Sequence, residues 1–222
     1  MSAGAAATFI GDVVGSRRAD DRQSVHDALV AGLTGSARLE GVIDPGRVTV
    51  GDEFQGSFAT LGQALTATLH LRLTLLPEVD VRIGLGWGGV STLDADTRDG
   101  PGWWAAREAI DWVKDTQTKG VTTHVRSAYR RAPAGDGADP RGSLGPDPGA
   151  VNAALLCRDQ LLGELDARDL RLLRGLLAGR SQRELADQEK VSPSAISQRV
   201  RFGGIGVLIL ADEQLATVGS AR

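Results

Sequence analysis

Residues 131–149, RAPAGDGADPRGSLGPDPG, are dominated by Gly, Pro, Ala and Asp and carry no apolar periodicity. No helix or strand is expected to run through such a stretch, so it predicts a flexible linker or long loop that divides the chain in two. With 222 residues, there is room for one domain of ordinary size, 1–130, and a smaller module, 150–222.

The first part alternates in pattern. "ATFIGDVV" reads as a buried strand, and "DRQSVHDALVAGLTGSARL" as a helix with Val25, Leu29 and Leu33 along one face. A hairpin follows over 47–58, then a helix over 61–76 with Leu61, Leu65, Leu69 and Leu76 at helical spacing, stopped by Pro77. "VDVRIGLGWGGVS" (79–91) is the next strand, and Pro101 opens a helix at "GPGWWAAREAIDWVKD". The fold class is therefore α+β, and the first six elements match the ferredoxin-like split βαβ arrangement. The second part is helical throughout.

A net charge of −3 gives no global attraction to nucleic acid or anionic lipid, so such contacts require a local patch. Cys157 has no partner cysteine and is expected as a small core residue in a reducing, cytoplasmic setting. The start MSAGAAATFIGD lacks a basic region and a long apolar run, and no window approaches a membrane span. His26, His70 and His124 lack metal-ligand spacing and are given no chemistry.

The hairpin "RVTVGDEFQGSF" carries adjacent acids, Asp52 and Glu53, at its turn. In a split βαβ sheet the strand ending at Asp12 lies beside that hairpin, so Asp12 and Asp52 are expected to converge. Two close carboxylates repel, and a divalent cation with a substrate phosphate is the usual resolution. Gly15, Ser16 and Arg17 lead into the first helix, whose N-terminal N–H groups would hold phosphate oxygens.

"FIGDVVGS", "VTVGDEFQGSF", "VRIGLGWGGV" and "GPGWWAAREA", in this order, resemble the motifs of class III nucleotide cyclases, over roughly residues 8–118. The hairpin is also similar to the signature turn of GGDEF diguanylate cyclases, and the whole resembles the SatD-like proteins. The resemblance implies that Asp12 and Asp52, with Glu53 as an auxiliary ligand, hold Mg²⁺ or Mn²⁺ under a nucleoside triphosphate. It implies that Arg107 stabilises transition-state charge, supplied across a head-to-tail homodimer, so that a monomer is inactive. Two positions depart from the pattern: Trp103 stands where the cyclases carry Asn, and Val48 where they carry the purine-reading Lys. Both departures touch base or ribose recognition and leave the acidic pair intact.

In 165–201 the stripe Leu170, Leu173, Leu176, Leu177 ends at Gly179, Ser181 caps "QRELADQ", and Ser192 with Pro193 opens "SPSAISQRV". The pattern resembles the helix-turn-helix of sigma-factor region 4 and LuxR-type proteins. That resemblance makes the last of these helices the major-groove reader, with Ser192, Ser194, Ala195, Ser197, Gln198 and Arg199 as contacts and Lys190 and Arg201 nearer the phosphates. Glu189 stands where an apolar residue is usual and Lys190 where Gly makes the turn. The other reading of these helices is a protein-interaction or dimerisation module, since 181–202 carries four basic residues against three acids.

The expectation is a homodimeric regulator that binds double-stranded DNA and senses a nucleotide with Mg²⁺ or Mn²⁺ through its cyclase-like domain. The alternatives are an active cyclase or related nucleotidyl transferase, and a scaffold using neither site.

Overall fold

The apolar run Ala5–Val13 becomes β1, the central strand of a five-stranded mixed sheet, buried almost throughout. The structure is a computed structural model that describes residues 4–15, 22–36, 38–92, 98–133 and 145–219. Helix α1 (Arg22–Ser36) follows, then strands β2 (Val42–Val48) and β3 (Phe54–Phe58), helix α2 (Leu61–Leu75) and strand β4 (Val81–Gly89). Short paired strands β5 (Ser91–Thr92) and β6 (Arg98–Asp99) lead to helix α3 (Pro101–Gln117) and strand β7 (Ser127–Arg131). The sheet order is β2-β3-β1-β4-β7, antiparallel except that β7 runs parallel to β4. Strand β7 is an addition to the elements read from the sequence: five residues, two of them Arg, give little periodicity to read.

Alternation along β1 sends its side chains to two layers. Ala7, Phe9 and Val13 pack with Leu29 and Leu33 of α1 and Leu61 and Leu65 of α2, whereas Ile10 packs with Trp103, Ala106 and Ile110 of α3. Helix α3 lies directly on β4 because the facing residues there are glycines. A Cβ at Gly86 would fall 2.1 Å from the Gly102 carbonyl oxygen, and one at Gly84 would fall 2.3 Å from the Ile110 nitrogen. Trp103 is thus a buried core residue; Trp104 is exposed, with its indole N–H donating to Asp99 at 2.8 Å.

Helices α4 (Pro148–Gly163), α5 (Ala167–Leu177), α6 (Gln182–Glu189), α7 (Pro193–Phe202) and α8 (Ile205–Ala216) complete the chain. Of the stretch expected as a linker, 131–149, residues 134–144 lie outside the described residues, and its last two residues already belong to α4. The caps follow the sequence signals: Ser181 forms a capping box with Glu184, and the Ser192 hydroxyl accepts from the Ala195 N–H. The helical part packs on α2, which is buried on nearly every side. Leu61 and Leu65 face the sheet, while Leu69 and Leu73 share a cluster with Leu170, Leu173, Ile205 and Leu208.

Charge completes that junction. Asp159 of α4 is fully buried and accepts from Arg72 of α2 at 2.8 Å and from the Arg126 and Ser127 N–H groups at 2.8 and 2.6 Å. The other side of Arg72, and Arg126, meet Asp80 at 2.7 and 2.6 Å. Cys157 corrects an expectation: it is exposed on α4, because the buried positions of that helix fall at Val151, Leu155, Arg158, Asp159 and Leu162.

Candidate functional site

Strand register decides which side chains meet Asp12. It lies opposite Arg82 in the β1–β4 ladder, and the β1–β3 ladder ends one residue earlier, at Gly11 opposite Phe54. Asp12 shares the Ile10 side of β1, under α3. There one carboxylate oxygen accepts from Arg82 at 2.8 Å and the other meets the Lys114 ammonium at 2.9 Å. Arg82 is itself fixed by donation from its Nε to Gln117 at 2.6 Å.

The hairpin turn is built as its sequence suggested. The Thr49 N–H donates to the Glu53 carbonyl and the Glu53 N–H to the Val50 carbonyl, with Gly51 at φ 64, a conformation open to glycine at little cost. The two acids of the turn then part. Glu53 takes both terminal nitrogens of Arg107 on α3, each at 2.7 Å, and this carboxylate raises the pKa of the guanidinium. Asp52 instead borders a cavity of about 350 Å³ lined also by Val13, Arg22, Val25, His26, Leu29 and Gly51, on the α1 side.

Asp12 and Asp52, expected to converge, have different neighbours in the fold: Arg82 and Lys114 for Asp12, the cavity walls for Asp52. Asp12 pairs with Lys114 of α3, whereas Asp52, in the turn between β2 and β3, borders the cavity on the α1 side. Among the described residues no group of three or more His, Cys, Asp or Glu side chains is gathered; Mg²⁺ under a nucleotide is usually held by one or two carboxylates with the phosphates. Asp12 is held by two cations and Glu53 by a third, so a divalent ion at either acid would compete with them. Arg107 meets its partner within its own chain. Gly15 is exposed at φ 73 at the end of β1, and Ser16 and Arg17 lie outside the described residues.

Val48, at the position of the purine-reading Lys, is a half-buried neighbour of the main core, and Arg47 pairs with Asp44 at 2.7 Å. Sequence reading missed Arg82 and Lys114 as partners of Asp12, Gln117 as the acceptor that holds Arg82, and Arg22 and His26 as cavity walls. Arg82 is 70 positions from Asp12 in the chain, and only the ladder register brings them together.

In the helical part, α6 and α7 meet through a turn in which Lys190 itself takes the left-handed conformation, φ 55 and ψ 45. Glu189, unusual by its charge, is almost covered because Arg171 and Arg168 hold it at 2.7 and 3.3 Å, which also lowers its pKa. Arg199, expected to face outward, turns back to Asp169 at 2.6 Å and Asp166 at 3.1 Å. Ser192 is occupied as the cap of α7, and Ala195 is half-buried. Ser194, Ser197, Gln198 and Arg201 remain on the solvent face, with Arg201 stacked 5.1 Å over the exposed Phe202 ring.

The profile of the SatD family matches residues 6–131. No curated protein matches the chain. Among solved structures, a bacterial light-regulated adenylyl cyclase is similar at 14% identity and a TM-score of 0.41, over 58% of this chain and 77% of that one.

Proposed function

The chain belongs to the SatD family, and we propose that it is a DNA-binding regulator in which α5–α7 form a helix-turn-helix and the α/β part senses a small ligand. The observation that carries this reading is the outward face of α7. Ser194, Ser197 and Gln198 are short or amide side chains suited to base edges, on a helix capped at Ser192 and held against α6 through the buried Ile196. Arg201 follows one turn later and Lys190 precedes the helix, placing positive charge at both ends for phosphates. A homodimer would present two such helices to a palindromic site.

The ligand belongs in the cavity bounded by Val13, Arg22, His26 and Asp52, whose volume of about 350 Å³ suits a small molecule. A nucleotide is the leading candidate, with Arg22 as the cation for its phosphates. The order β2-β3-β1-β4 supports the ferredoxin-like reading of this part, in which β3 lies between β1 and β2.

Selection of duplexes from a random pool, followed by fluorescence anisotropy, tests the reading. Gln198→Ala should weaken the selected duplex by about 1–3 kcal/mol and relax its sequence preference. Arg201→Ala should weaken all duplexes alike and reduce the salt slope by about 1. GTP or ATP should shift the anisotropy midpoint, and Asp52→Asn should remove that shift. Absence of duplex binding at low salt overturns the regulator, and turnover of a nucleotide lost in Asp52→Asn makes the protein an enzyme instead.

A further inference from the structure

We infer that Arg82 and Lys114 are built-in counter-cations at Asp12, closing to divalent metal the position where the cyclase pattern places one. The two cations approach separate oxygens of the same carboxylate, at 2.8 and 2.9 Å, so each oxygen already faces a positive charge. A divalent ion bound to either oxygen would meet a guanidinium or an ammonium at close range. Asp12 has only 12% of its side chain exposed, Arg82 has 22%, and Lys114 reaches in from a more open position at 37%.

The arrangement is held in place, not adventitious to a floppy surface. Arg82 is bracketed between Asp12 on β1 and Gln117 on α3, at 2.8 and 2.6 Å. Lys114 lies one turn before Gln117 on the same helix. The close seating of α3 on the glycines of β4 sets the distance from which Lys114 reaches Asp12, while strand register places Arg82. The neighbouring acid follows the same rule, since Glu53 is matched by Arg107 of α3. Acids thus come from β1 and the hairpin, and their cations from β4 and α3. Asp12 faces two positive charges without an added ion, and any ligand of the α/β part is bound without a metal at Asp12.

Titration of the full chain with Mn²⁺, followed by electron paramagnetic resonance of free Mn²⁺, tests the inference. Wild type and Asp12→Asn should bind Mn²⁺ alike, within about twofold. Replacing both cations, Arg82→Gln with Lys114→Gln, should create a Mn²⁺ site at least tenfold tighter than any in wild type, and adding Asp12→Asn should abolish it. Should circular dichroism show that the double variant does not fold, Lys114→Gln alone is read in the same way. A wild-type Mn²⁺ site weakened tenfold or more by Asp12→Asn overturns the inference, as does a folded variant without gain. DNA affinity is measured separately and does not enter this outcome.

Discussion

Lys190 shows how one residue records a choice. It stands where a glycine would turn the chain freely, and it takes the left-handed conformation all the same, at φ 55. A side chain there costs free energy that glycine avoids, so Lys190→Gly should raise stability by about 1 kcal/mol in urea unfolding while removing one cation from the proposed DNA face. The sequence marked Glu189 and Lys190 as departures from the helix-turn-helix pattern but gave no reason for the first. The reason lies in Arg168 and Arg171 on the preceding helix, which pair with the Glu189 carboxylate where it is nearly covered. Asp80 is a second case. Burial pushes its pKa up, but Arg72 and Arg126 outweigh that and leave it below the ordinary value. The native state therefore releases this proton more readily than the unfolded chain. The stability it contributes is complete above the unfolded carboxylate pKa and is lost as pH falls through the lowered folded value. Unfolding free energies of wild type and Asp80→Asn should differ most near pH 7 and draw together in acid.

The pairing of β4 with α3 is the element on which the α/β site depends. The alternating glycines of "RIGLGWGG" were legible as a motif, but their purpose was not, because it depends on a helix that begins more than ten residues later. In the fold the glycines at 84, 86 and 88 present backbone to backbone, and α3 settles close enough for Lys114 and Arg107 to reach acids on β1 and the hairpin. Gly86→Ala should cost about 1–3 kcal/mol by overpacking, read as a lower denaturation midpoint. Strand β1, the hairpin, α1 and α2 could all be read in advance from period and turn chemistry. The direction of Asp12 could not: a strand position specifies a face only once the neighbours of both faces are known.

At the scale of the molecule, the two parts separated by the Gly- and Pro-rich stretch are joined by more than that stretch. Helix α2 gives one side to the sheet and another to α5 and α8, and the spread of its Leu and Ala residues over more than one face was the sequence signal for a helix covered on both sides. Asp159 adds a buried charge held by Arg72 and by two backbone N–H groups of the β7 region. Asp159→Ala strands Arg72 with one of its two anions and should cost about 3–5 kcal/mol, measured by chemical unfolding. A protease site inserted between residues 133 and 145 should yield fragments that still co-elute on gel filtration, and the Asp159→Ala change should separate them. The same doubly covered helix limits how such a gene can diversify. A crossover that exchanged the tail for one from an unrelated regulator would leave half of α2 facing water, so the stretch between the parts tolerates lengthening more readily than it tolerates a change of partner.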